Sequence, residues 1–286
     1  MTRFRQQKTV GATQSYSGVG IHSGHEVEIR FVPAQEGEGI FFRRVDLPGK
    51  PVIPATIEYI ADTARGTTLA IGEVKVQTVE HVLAALRAYE IDNICVELSS
   101  CEPPAGNGSS DVFVEMLDQA GICEQEAEVP IVSIKKPIWW SLDNIHIIGL
   151  PNEEYKISYT LHYPKNQALG SQYFDFQFSQ EDFCSQIASC RTFALYEEIS
   201  YLMDRGLIQG GSLANAVVVK QEAIISKGGL YFPDEAVRHK ILDLVGDLSL
   251  VGIPFTGHII AIMSGHTSNC AFAKELYHHL TTESEL

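Results

Sequence analysis

The chain has 286 residues, 45% of them hydrophobic, and a formal net charge of -15. That length exceeds a typical single domain, and the near-average composition excludes disordered, collagen-like and low-complexity classes. The acidic balance argues against a nucleic-acid partner, because phosphate binding needs a basic face that releases counterions.

In chain order, the N-terminus carries no apolar segment of a secretion signal, and no later run approaches the roughly 18 apolar residues of a membrane span. The six cysteines form no Cys-x-x-Cys pair, so reduced thiols and a cytoplasmic location are expected. Val27, Ile29 and Phe31 alternate on one face and predict a strand, with a second around residues 39–43. From Thr78 the spacing turns helical: Val79, Val82, Leu83 and Leu86 share a face, and Thr78 is the expected N-cap. Residues 93–98 return to strand and 111–120 form a second helix. The acidic stretch 124–130, ending in Pro130, has the character of a domain linker. Beyond it, strands are predicted at 131–134, 145–150, 155–163 and 173–178, then helices at 181–188 and 195–204. A Gly-rich turn at Gln209-Gly-Gly-Ser212, a helix over 234–250 and a strand at 258–263 follow. The halves read as imperfect copies: in each, strands lead to a helix carrying Val-x-His (Val79-Glu80-His81, Val237-Arg238-His239), and a strand follows.

The sharpest chemical signal is the 238–247 segment. On a helix, His239, Asp243 and Asp247 fall on one stripe, opposite Val237, Ile241, Leu244, Val245 and Leu248. An imidazole and a carboxylate four residues apart reach one divalent ion, and zinc accepts both at about 2.0 to 2.2 Å. The plainer alternative is an amphipathic helix with a solvated acidic face. His81 lies off the apolar face of its own helix, so core packing does not account for it. If both helices turn these sides into a cleft, His81, His239 and Asp243 supply three ligands and leave a fourth position for water. Glu80 would then be placed to take a proton from that water. A surface Glu-His pair is the alternative there. His266, in Ser264-Gly-His-Thr-Ser-Asn269, sits at a strand end, where catalytic groups often lie, although a lone histidine there is usually just solvated. The run Phe193, Leu195, Ile199, Leu202, Met203, Leu207 and Ile208 predicts a helix that core packing explains most simply. It also has enough apolar surface to line a channel for a fatty chain. Signatures of phosphate loops, thermolysin-like proteases and lipases are lacking.

Several segments in order give the chain a family resemblance. They are Ser17-Gly-Val-Gly-Ile-His-Ser-Gly24, Phe42-Arg-Arg-Val-Asp-Leu47, Asp62-Thr63, Thr78-Val-Glu-His-Val-Leu-Ala-Ala-Leu86, Ile91-Asp-Asn93, Arg191-Thr-Phe-Ala194, Gly210-Gly-Ser-Leu213, Val237-Arg-His-Lys-Ile-Leu-Asp-Leu-Val-Gly-Asp-Leu248 and Gly265-His-Thr-Ser-Asn269. In these the chain resembles the UDP-3-O-acyl-N-acetylglucosamine deacetylases, zinc amidases of lipid A biosynthesis. The resemblance implies an α+β fold of two similar domains, 1–126 and 127–286. Each would be a mainly antiparallel sheet covered by helices, with the active site between them and an acyl-chain-passage insert in the second. It implies one zinc ion per chain on His81, His239 and Asp243, Glu80 as general base and His266 as general acid. It further implies Thr192 and Lys240 at the oxyanion, with Lys240 also on the substrate, and Asp247 orienting His266. Phe193, Gly210, Ile199 and Leu202 would contact the substrate. The implied partner is a UDP-linked acylated glucosamine, bound by a monomeric cytoplasmic hydrolase. A non-catalytic metal-containing carrier of sugar nucleotide or lipid is the alternative; it would need a closed four-ligand site. Two positions depart from the family pattern: Asn107 stands where aspartate is usual, and Ser268 where leucine is common.

Overall fold

The computed structural model describes residues 3–283 and has an α+β architecture. Strand β1 (Arg3–Val10) leads into β2 (Gln14–Val19), β3 (Glu26–Pro33), β4 (Ile40–Arg44) and β5 (Val52–Pro54). Short strands β6 (Ile60–Asp62), β7 (Thr68–Ile71) and β8 (Val74–Val76) precede α1 (Glu80–Ala88), β9 (Ile94–Leu98) and α2 (Asp111–Ala120). The second half continues with β10 (Ile122–Ser133), β11 (Ile138–Leu142), β12 (Ile145–Leu150), β13 (Tyr155–Tyr163), β14 (Gly170–Gln177) and α3 (Gln180–Gln186). It closes with β15 (Phe193–Leu195), α4 (Tyr196–Asp204), β16 (Val217–Lys220), β17 (Ala223–Ile225), α5 (Glu235–Ser249), β18 (Phe255–Ile262) and α6 (His266–Glu283).

The halves share one strand plan. In the first, the order is β2-β3-β9-β4-β5, with β9 antiparallel to β3 and parallel to β4. In the second, the order β11-β12-β18-β13-β14 repeats it, with β18 antiparallel to β12 and parallel to β13. A helix precedes each central strand (α1 before β9, α5 before β18), and a helix follows each. Each half also takes a small three-stranded sheet between its edge strand and that preceding helix: β6-β7-β8 in the first, β15-β16-β17 in the second. The repeat inferred from Val-x-His is therefore present in the topology.

Alternation on β3 works as predicted, with Val27, Ile29 and Phe31 all buried. Segment 124–130 is not an irregular linker. It lies within β10, which crosses the expected 126/127 boundary and pairs antiparallel with β1, Lys8 facing Glu124 and Gln6 facing Glu128. The acidic side chains are the outward half of a strand whose partner sits at the other end of the half-chain. Thr78 is not an N-cap either: Val79 occupies that position without a side-chain bond. Thr78 has φ 55°, and its hydroxyl donates to Glu102 Oε1 at 3.0 Å, which offsets a backbone conformation unfavourable for a β-branched residue.

Helices α1 and α5 pack against each other in one continuous core. They approach so closely at Gly246 that a Cβ there would overlap the carbonyl of Glu80. Both sides of α5 are buried, the apolar side with Ile241 and Leu244 and the polar side with His239, Asp243 and Asp247. This removes the solvated-face alternative. The apolar run after Thr192 is only partly helical: Phe193–Leu195 is strand, paired in parallel with Val217–Val219, and Leu207 and Ile208 lie beyond α4. The branched Val217, Val218 and Val219 offer a strand partner that helical spacing alone does not reveal. Among the described residues no helix is long and apolar enough to cross a membrane.

Candidate active site

Helix α1 brings Glu80 and His81 to the crossing, α5 brings His239, Lys240, Asp243 and Asp247, and the first turn of α6 brings His266. Seven polar side chains from distant sequence thus meet at one buried place. His81 and His239 face each other edge to face, ring centres 5.1 Å apart. Their Nε2 atoms lie 3.5 and 3.3 Å from Asp243 Oδ1. That oxygen is buried and makes no hydrogen bond, whereas Oδ2 accepts from Lys240 Nζ at 2.6 Å.

An unsatisfied buried carboxylate oxygen is costly, and together with the two imidazole nitrogens aimed at it, it makes the donor set of a cation site. Donor atoms of His81, His239 and Asp243 all lie within 4.8 Å of one another. Tetrahedral zinc with bonds of about 2.0 to 2.1 Å has ligand–ligand edges of roughly 3.4 Å, close to the spacings here. His239 Nδ1 donates to the Cys190 carbonyl at 2.9 Å, which leaves Nε2 as the free donor. Burial drives the His239 pKa down to about 4 against the pull of Asp243, so the ring is neutral as a ligand must be. Burial opposes the Asp243 charge too, but His239, Lys240 and His266 outweigh it and hold the carboxyl well below the usual range. The set fits a divalent transition metal.

Beside it stands a second group, Glu80, Asp247 and His266. Glu80 Oε2 accepts the backbone N–H of Thr67 at 2.9 Å, and Oε1 lies 3.9 Å from His266 Nε2. Burial raises the Glu80 pKa, partly countered by His266 and His81. His266 Nδ1 donates to Asp247 Oδ2 at 3.0 Å. Burial works against the imidazolium, yet Asp247, Glu80 and Asp243 together lift the His266 pKa to about 9 in the metal-free protein. Asp247 is itself fixed by Asn269 Nδ2 at 2.9 Å and by the Thr67 hydroxyl at 2.5 Å.

A cavity of about 510 Å3 joins this cluster to the second insert, with Thr192, Phe193, Ile199, Leu202 and Met203 among its walls. Lys240 lines it as well. Gly210 does not; it stands behind the wall, where a Cβ would overlap the Gly20 carbonyl, and its N–H donates to Ile21 O at 3.1 Å. Its part is to let two backbones approach.

The sequence reading missed several supports. Glu102, wholly buried, accepts the N–H groups of His22 and Ser23 and so ties that loop to Thr78. Arg191 and Glu235 form a buried pair at 2.8 Å that anchors the segment between Cys190 and Thr192. Glu102 and Glu235 have no periodic or spaced signal in the sequence, and Arg191 enters it only as the first residue of Arg191-Thr-Phe-Ala194. The two departures have local explanations. Asn107 donates to Asp111 Oδ2 at 3.0 Å and accepts from Ser109, so aspartate there would set two carboxylates against each other. Ser268 accepts the Gly265 N–H and returns a bond to its carbonyl, both at 2.9 Å, which fastens the turn that carries His266.

Two imidazoles and a carboxylate converging on one point, with a buried carboxylate and a histidine alongside, define a metal-dependent hydrolase. The comparisons narrow the class. The model of the UDP-3-O-acyl N-acetylglycosamine deacetylase family matches residues 7–278. A UDP-3-O-acyl-N-acetylglucosamine deacetylase of Chlamydia felis is 50% identical over 96% of this chain and 98% of its own. Those of Chlamydia muridarum and Chlamydia trachomatis serovar L2 are 48% and 45% identical, each over 99% of this chain and 98% of its own. The chain belongs to the UDP-3-O-acyl-N-acetylglucosamine deacetylase family.

Proposed function

We propose that the chain hydrolyses the N-acetyl amide of UDP-3-O-acyl-N-acetylglucosamine, releasing acetate, as a step of lipid A biosynthesis. The observation that carries the reading is the orphaned Asp243 Oδ1 approached by two imidazole Nε2 atoms, with Glu80 and His266 in a neighbouring group. In this reading His81, His239 and Asp243 hold one zinc ion per chain. The chemistry that zinc supplies in such a site is Lewis acidity, which lowers the pKa of water to about 7 and polarises a carbonyl.

The protein's own groups do the rest. Glu80, its proton affinity raised by burial, takes a proton from the attacking water. Amide nitrogen departs only when protonated, and His266, held as a cation by Asp247, is the donor. Lys240 and Thr192 line the cavity where charge develops on the carbonyl oxygen. Lys240 also supplies the positive charge that an otherwise acidic protein needs to hold a nucleotide sugar. The apolar walls at Phe193, Ile199 and Leu202 receive the acyl chain. The enzyme acts as a monomer in the cytoplasm.

A carrier would close the metal with a fourth protein donor. Here the group holds three donors, His81, His239 and Asp243, while Glu80 and His266 belong to a neighbouring group and face each other at 3.9 Å. Acetate release from the UDP-linked substrate, followed by mass spectrometry, tests the proposal. Release should stop with a chelator and return with zinc; purified protein that releases no acetate overturns it.

A further inference from the structure

Thr67 belongs to neither cluster, yet its N–H and its hydroxyl each bond to an acid of the second. It sits at the root of β7 in the first insert and is wholly buried. Its N–H donates to Glu80 Oε2 at 2.9 Å, its carbonyl accepts from Val79 N at 3.2 Å, and its hydroxyl donates to Asp247 Oδ1 at 2.5 Å. Glu80 and Asp247 lie on different helices, and among the described residues no hydrogen bond joins them directly. One threonine connects the carboxylate that takes the proton to the carboxylate that holds the proton donor.

The division of atoms is informative. On Glu80 the bond falls on Oε2 and leaves Oε1 facing His266 at 3.9 Å. On Asp247 it falls on Oδ1, while Oδ2 is taken by His266 and Asn269. Thr67 therefore approaches both acids from behind and leaves their working oxygens free. Gly66 keeps the space beside Glu80 open, since a Cβ there would stand 3.1 Å from Glu80 Oε1 and crowd it. Removing the hydroxyl would leave Asp247 Oδ1 buried without a donor, and the carboxylate would turn to recover one at the expense of its grip on His266.

We infer that Thr67 is a positioning residue for the deacetylation, fixing Glu80 through its amide and the Asp247–His266 pair through its hydroxyl. The inference rests on the reaction proposed above. Its test compares Thr67→Val, which keeps shape and loses the hydroxyl, with Thr67→Ser, which keeps the hydroxyl and loses a methyl. Thr67→Val should lower kcat by roughly 10- to 100-fold, the range typical for outer-shell partners, with KM nearly unchanged and a full complement of zinc. Thr67→Ser should restore most of the rate. In an Asp247→Asn background, adding Thr67→Val should cost little more, since a hydroxyl that acts through Asp247 has nothing left to act on. An unchanged kcat in Thr67→Val, loss of zinc, or an equal fall in the Asp247→Asn background would overturn the assignment. An inactive wild-type protein would instead overturn the reaction itself, so the two failures are distinct.

Discussion

The α1–α5 crossing and the second insert hold the two ends of the same cavity under opposite constraints. At the crossing every residue of α1 except Arg87 is buried, and polar groups are held by one another and by the backbone. In the insert α4 buries only Leu202, and Tyr196, Tyr201 and Met203 are exposed. Charge is placed where the backbone has no freedom, and apolar surface where the fold buries little. Chemistry needs donors fixed to fractions of an ångström, whereas a fatty chain needs only area.

That contrast can be broken at several points. The largest effect should come from His239→Ala: zinc content measured by atomic absorption should collapse together with acetate release. Full zinc and full rate would remove His239 from the metal set. Glu80→Gln should keep its zinc and lose turnover by roughly 10² to 10⁴-fold, the range for losing a general base; metal loss would make Glu80 a ligand instead. Gly246→Ala leaves every functional group in place but forces the helices apart. Chemical denaturation should show destabilisation of about 1 to 3 kcal/mol, as for other overpacked cores, with a fall in kcat as Glu80 is displaced. A neutral Gly246→Ala would mean the crossing is looser than its geometry. At the other end, Met203→Ser should leave stability within about 0.5 kcal/mol, as for other exposed positions. It should raise KM by roughly 10-fold for long acyl chains only, in line with the burial of a few methylenes. Equal effects on short-chain substrates would detach Met203 from the tail.

The same contrast explains what could be read from the sequence. Helix α5 was legible because Val237, Ile241, Leu244 and Val245 keep a 3.6-residue period, and the His239–Asp243 spacing marks its opposite stripe. Strands β12 and β13 and helix α2 were found at their observed bounds for the same local reason. Convergence of His81 and His266 on that stripe is tertiary: the place of His81 off the apolar face of its helix pointed toward the cleft, whereas the role of His266 came from the family resemblance. The short strands of both inserts escaped notice, since three or four residues carry too little periodicity. Helix α6 escaped because its polar and apolar residues do not segregate cleanly. The strand at 124–130 was read as a linker because charge density hid an alternation that only pairing with β1 makes visible. Thr67 and Glu102 were beyond reach, as single residues whose partners lie far away in sequence, and Arg191 stood in a motif without a role.

The matching position of the two inserts has a historical consequence. If the halves descend from one ancestral unit, the gap between its edge strand and its helix was an open site in both copies, free to accept new chain without disturbing the strand order. One copy used it for a short three-stranded sheet that reaches inward to the acids, and the other for a longer excursion that reaches outward along the cavity. The asymmetry of a single-site enzyme then arose by unequal elaboration of a symmetric beginning. New tail preferences can be explored in the outer excursion while the inner one keeps the reaction intact.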